Sequence, residues 1–188
     1  MNTPLPNKIL KSLCVFCASS SEVHQKYIDL AADLGTMLAQ ARICLVYGGA
    51  QGGLMGAAAN AALAAGGEVI GVIPEVLFGQ ERAHQGLTKL YIMRDMHERQ
   101  QKMAALADGF VVLPGGLGTL AEFFEILTWK QIGLYDKPII LVNIDGFWDS
   151  LIETMGNCQQ QGFLHGDFLD LVRICNDLHT IRTFFVFE

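Results

Sequence analysis

The stretch Val111-Val112-Leu113-Pro114-Gly115-Gly116-Leu117-Gly118-Thr119-Leu120-Ala121-Glu122 decides the fold. Three apolar residues stopped by a proline read as a buried strand. The glycines read as a tight turn, and the rest as the start of a helix that runs to about residue 132. Along it Leu120, Phe123, Phe124, Leu127 and Gln131 recur at helical spacing, apolar at all but the last. Strand, glycine turn and helix N-terminus in that order make an anion site. The turn exposes backbone N–H groups, glycine lets a ligand approach the chain closely, and the helix dipole favours negative charge. Glu122 then stands in the first helical turn, beside a space of phosphate size, and a carboxylate there needs a reason. One reason is local: Thr119 to Glu122 is a T-x-x-E capping box. The other is chemical. Two glycines, a proline and a hydrophobic strand favour the second, since a plain cap requires none of them.

Working outward, strands are expected at 13–18, 43–47, 69–73, 90–93, 138–142 and 171–175, and helices at 23–39, 57–65, 96–107 and 147–161. Gly48-Gly49-Ala50-Gln51-Gly52-Gly53-Leu54-Met55-Gly56 forms a second glycine-rich strand-to-helix turn. Ser19-Ser20-Ser21 follows the first strand, as a cap for the next helix or as a ligand contact. Asp145 reads as the cap of helix 147–161, and segment 75–88 as an irregular functional loop. The tail 180–188 is apolar near its end and is expected to dock. Strands alternate with helices without linker or repeat. The expectation is one Rossmann-like nucleotide-binding domain over 1–188, an α/β doubly wound, mostly parallel sheet with helices on both faces. Ligands in such folds sit at the carboxyl ends of the strands, where both glycine turns fall.

Composition removes several classes of function. The 188 residues are 51% hydrophobic and 17% charged with a net charge of −6, which argues against a broad nucleic-acid surface. No stretch reaches membrane-span length, and the N-terminus lacks a secretory pattern. Five cysteines at irregular spacing fit a reducing cytoplasm. Cys14-x-x-Cys17 lies inside a strand pattern without a second pair, which disfavours a redox or zinc role. Neither glycine turn continues as the Lys-Ser/Thr of a Walker A loop. Gly116-x-Gly118-x-x-Ala121 fits the loose dinucleotide fingerprint, but it follows the fifth strand, and the next strand ends in Val142-Asn143 without the acidic residue that binds ribose. NAD binding is therefore a minor reading. The histidines are scattered without metal-ligand spacing, so neither metal nor cofactor is expected. What remains is an anion cradle with an acid at its lip and a helix carrying His97, Arg99 and Lys102 that leads into it. An arginine there would hold a phosphate by a bidentate pair.

Pro114-Gly115-Gly116-Leu117-Gly118-Thr119-x-x-Glu122 resembles the PGGxGTxxE signature of the LOG family, the cytokinin riboside 5′-monophosphate phosphoribohydrolases. Phe16-Cys17-Ala18-Ser19-Ser20, Tyr47-Gly48-Gly49, Gly53-Leu54-Met55-Gly56, Gly71-Val72-Ile73-Pro74, Met96-His97-Glu98-Arg99 and Thr128-Trp129 are similar to further family motifs in the same order. The resemblance implies a Rossmann-like homodimer that cleaves the N-glycosidic bond of AMP or a prenylated AMP, giving free base and ribose 5-phosphate. It implies Arg99 and Glu122 as the catalytic pair and Gly116, Leu117, Gly118 and Thr119, with Gly115 beside them, as the phosphate loop. Ser19, Glu81 and Thr128 would complete the nucleotide site. Gln100 stands where the family usually has lysine, Ala50 where it often has glycine, and Leu117 where it often has tyrosine. Older labels call the group lysine decarboxylases, yet no lysine stands out as a pyridoxal-phosphate anchor. A nucleotide carrier or sensor without turnover is the alternative, since one fold hosts many functions.

Overall fold

The computed structural model describes residues 10–78 and 83–184. Strand β1 (Ser12–Phe16) is buried on both faces: Leu13 and Val15 join one core, Cys14 and Phe16 the other. A strand covered on both sides belongs in the middle of a parallel sheet. The chain continues through α1 (Gln25–Gln40), β2 (Cys44–Tyr47), α2 (Gly53–Ala64), β3 (Val69–Pro74), α3 (Glu75–Phe78), β4 (Lys89–Met93), α4 (Met96–Leu106) and β5 (Gly109–Val112). Then come α5 (Leu117–Gln131), β6 (Ile139–Val142), α6 (Asp149–Gln160), α7 (Phe168–Leu171), β7 (Arg173–Cys175) and α8 (Leu178–Phe184). The seven strands among the described residues are parallel, in the order β4-β3-β2-β1-β5-β6-β7. The chain winds outward from β1 to β4 and then returns to the other side of β1 for β5. Phe16 pairs with Val112 at that junction, so the loops after β1 and β5 diverge and open a crevice between them.

One core lies under α1 and α2. The expected face of α1, Leu30, Leu34, Met37 and Leu38, is buried there against Leu54, Ala58, Ala59 and Ala62 of α2. The two helices pack tightly at Gly35, where an added Cβ would stand 2.1 Å from the Ala58 carbonyl oxygen. Gly35→Ala is therefore expected to destabilise by about 1–3 kcal/mol through overpacking, although alanine in a helix gains up to about 1 kcal/mol over glycine. Urea unfolding would read the sign. The other core holds Phe16 stacked on Phe110 (5.8 Å between centroids) with Met103, Phe123, Leu127 and Phe168.

Several local expectations give way to tertiary partners. Helix α2 begins at Gly53, earlier than expected, because the Ser21 hydroxyl accepts from Gly53 N–H (3.2 Å). Of the serine cluster, Ser21 thus serves α2. Helix α1 is capped instead by His24, whose Nδ1 accepts from Lys26 N–H (3.3 Å). Asp145 is no cap: it sits in the short 3₁₀ turn Ile144–Gly146 with φ 50°, paired with Lys26 at 2.7 Å, and α6 starts after Trp148. The segment read as irregular opens with α3, and 171–175 divides into the end of α7 and the short β7. In the tail, Ile181 is fully buried in the core of α1 and α2; residues 185–188 lie outside the described part. No helix among the described residues is long and apolar enough to cross a membrane.

Candidate active site

Both glycine turns lie at the carboxyl edge of the sheet, and a cleft of about 280 Å³ opens there. Its walls come from the loop after β1 (Cys17, Ala18, Ser19, Ser20), from α2 (Met55), α3 (Leu77) and α4 (Met96, Arg99), and from α5 (Leu117, Gly118, Thr119, Glu122) with Gly116 before it. Helix α5 presents its N-terminus to this cleft. Its N-cap is Gly116, without a side-chain cap, and the first backbone bond inside the helix runs from Leu120 N–H to Gly116 C=O (3.0 Å). The Thr119–Glu122 capping box is therefore not formed. A Cβ on Gly116 or Gly118 would meet nothing within 4 Å, so both open onto free space. Gly115 lies beneath the turn, and its missing Cβ makes room for the Thr119 hydroxyl, which would stand 2.1 Å away.

Glu122 is the sixth residue of α5, beyond the first turn, where the helix dipole has faded. A different device holds it. Arg99 Nη1 donates to Glu122 Oε1 at 2.6 Å, with only 5% and 7% of the two side chains exposed. Arg99 Nε donates to the Val72 carbonyl at the end of β3 (3.1 Å). Its Nη2 lies over Gly48 at the end of β2, where a Cβ would stand 2.4 Å away. The guanidinium thus spans two strand ends and grips a carboxylate on the far side of the crevice. A charge-assisted pair with such fixed donors holds both groups in one orientation.

Cys17 lines the cleft, but burial first and the Glu122 carboxylate second push its thiol well above the ordinary range. It stays protonated and is no nucleophile. Cys14 and Cys17 belong to cores on opposite faces of the sheet, which removes the redox reading of C-x-x-C. Nearby, His84 is a pin. Its Nδ1 accepts from Gly86 N–H (3.1 Å), its Nε2 pairs with Asn60 Oδ1 (2.9 Å), and its own N–H binds the Gly49 carbonyl (3.0 Å).

Of the residues singled out in the sequence, the fold gathers Ser19, Arg99, Gly116, Leu117, Gly118, Thr119 and Glu122 around one cleft, with Gly115 supporting the turn. Thr128 is not in its wall. Its hydroxyl donates to the Phe124 carbonyl (2.7 Å), about 9 Å further along the helix than Glu122 at 1.5 Å per residue. Glu81 lies outside the described residues. Met55 and Met96 are wall residues that sequence reading did not single out, because apolar residues in helices look like core, whereas Leu77 falls in the segment expected to be a functional loop.

A family model described as "Possible lysine decarboxylase" matches residues 55–183. A cytokinin riboside 5′-monophosphate phosphoribohydrolase from Rhodococcoides fascians is 44% identical over 169 residues, 89% of this chain and 85% of that protein. One from Arabidopsis thaliana is 42% identical over 154 residues, 82% of this chain and 72% of its own length. Among solved structures, the molybdenum cofactor carrier protein of Chlamydomonas reinhardtii aligns with a TM-score of 0.68 at 22% identity, covering 90% of this chain and 92% of that one. The molybdenum cofactor binding protein of Rippkaea orientalis gives 0.69 at 20%, covering 90% and 91%. At that identity the two proteins share the fold alone. The closer sequence matches go further: with the signature loop, the buried Arg99–Glu122 pair and this coverage together, the chain belongs to the family of the cytokinin riboside 5′-monophosphate phosphoribohydrolases.

Proposed function

We propose that this chain hydrolyses the N-glycosidic bond of a purine nucleoside 5′-monophosphate, cytokinin-type or plain AMP, to free base and ribose 5-phosphate. The observation that carries the reading is the presence of a buried Arg99–Glu122 pair and an open helix N-terminus in one cleft. The phosphate binds the backbone N–H groups of Gly116 to Thr119, where the dipole of α5 favours it and glycine leaves the approach free. Breaking the bond to the base builds positive charge on the sugar, as in glycoside cleavage. The Glu122 carboxylate stabilises that cation and orients the attacking water. Arg99 keeps Glu122 in place and anchors the phosphate or a ribose oxygen. Ser19 contributes from the loop after β1.

A homodimer is part of this reading. Leu117 is 87% exposed, and Val76, Ile92 and Met96 are exposed apolar residues near the same edge of the sheet. Thr128, outside the wall of this cleft, then reaches a nucleotide from a second copy. The five unpaired cysteines fit a cytoplasmic setting, and one nucleotide-binding domain accounts for the described residues. Decarboxylation through pyridoxal phosphate does not fit the residues present. Among the described residues no lysine lines the cleft: Lys89 and Lys102 lie over Tyr91 on the sheet edge, and Lys26 pairs with Asp145.

Gly48 gives a test of the Arg99 geometry. In Gly48→Ala the new methyl displaces the guanidinium from the strand end, so turnover should fall about 100-fold for a shift on the order of 1 Å, with the fold intact by circular dichroism. Wild-type turnover in that variant would contradict the assignment. The function itself is tested by chromatography after incubation with AMP and, separately, isopentenyladenosine monophosphate. The reading expects free base from at least one, with the ratio of rates giving the preferred base. Measurable binding without any base release would favour the carrier.

A further inference from the structure

Residue 122 is gripped twice, by two consecutive residues of α4. Arg99 holds its carboxylate, and Gln100 Nε2 donates to its main-chain carbonyl at 3.2 Å. Gln100 is 2% exposed, and its Oε1 is buried without a hydrogen-bond partner among the described residues. A buried amide with one satisfied and one unsatisfied end is a poor choice for stability alone. An apolar side chain of the same length would fill the space without that cost. The half that is satisfied lands on the residue of α5 whose carboxylate binds Arg99.

We propose that Gln100 is a positioning residue for the Arg99–Glu122 pair: by binding the Glu122 carbonyl it fixes the rotation of α5 against α4 at the carboxylate that faces the cleft. The inference rests on the proposed hydrolase reading. A helical carbonyl has a second lone pair, so the tie adds to the helix ladder without breaking it. The demand is strict, because a catalytic group must be held within about 0.5 Å and 10–20° of its working geometry. Leu127 and Phe123 pack α5 onto the sheet, but apolar contacts tolerate small rotations that a hydrogen bond to a fixed carbonyl does not.

Gln100→Met removes both polar ends at nearly constant volume. The expected result is a fall in kcat of about 10- to 100-fold, KM within about twofold, and a melting temperature equal to or above wild type. Gln100→Lys keeps an N–H donor of similar reach and is expected to retain kcat within about threefold. A readout independent of turnover is the Arg99 Nε–H resonance, whose bond to Val72 C=O should protect it from exchange in wild type and less so in Gln100→Met. Unchanged kcat and unchanged protection in Gln100→Met would overturn the proposal. So would equal losses of kcat and melting temperature in both variants, which is the mark of a structural role only. Glu122→Gln is measured beside them. If it stays active, the catalytic reading falls and the positioning role with it; if it is inactive while Gln100→Met behaves as wild type, only the positioning role falls.

Discussion

Glu122→Gln should bind AMP as wild type does and release base about 10²–10³ times more slowly, the size of effect seen when one charge-stabilising group is removed from a reacting centre. The substitution is almost isosteric. Its amide oxygen can still accept from Arg99 Nη1, so the 2.6 Å contact and the wall of the cleft survive. What disappears is the full negative charge, and only a step that builds positive charge on the sugar suffers from that. Ground-state binding of the phosphate at the N-terminus of α5 does not involve Glu122. The loss should therefore fall on kcat, with KM little changed. A loss of binding with kcat intact would reassign Glu122 to substrate recognition.

Arg99→Ala should cost both activity and stability, for different reasons. Removing the guanidinium leaves Glu122 buried without its counter-charge, and breaking one side of a buried pair typically costs about 3–5 kcal/mol. It also leaves the Val72 carbonyl without its donor. Equilibrium unfolding in urea should show this as a lower midpoint at a similar slope. Restoring balance with Arg99→Met together with Glu122→Leu should recover much of that stability while the protein remains inactive, since a well-packed apolar pair is often as stable as a buried ion pair. That separation of stability from activity is the sharper result. If Arg99→Ala were as stable as wild type, the pair would be more solvated than its 5% and 7% exposure implies.

The stretch from Val111 to Glu122 was legible because its signals are local: an apolar run, a proline, glycines and a helix start all fall within twelve residues. Alternation of strand and helix then carried the doubly wound class. Two of the misreadings share one physical cause, a partner distant in sequence. Helix α2 starts early because a serine 32 residues upstream caps it. Asp145 looked like a cap because acids precede helices, yet Lys26 from α1 claims it. Thr119 and Glu122 have capping-box spacing, but Gly116 starts the helix three residues sooner and moves both inside it. Arg99 and Glu122 could be named from the motif they resemble. Their 2.6 Å bond, the Val72 carbonyl and the bare Cα of Gly48 that make room for it are products of the sheet order alone. Gln100 drew notice as a departure from the family pattern, whereas its reach to the Glu122 carbonyl is visible only with α4 and α5 in place.

The most direct test of the hydrolase reading is a mass balance with wild-type protein: isopentenyladenosine monophosphate in, with isopentenyladenine and ribose 5-phosphate followed together over time. The account predicts that both products appear in equal amounts and in step with loss of the nucleotide. Nucleotide that remains intact while bound, or dephosphorylation to the nucleoside without free base, would contradict it.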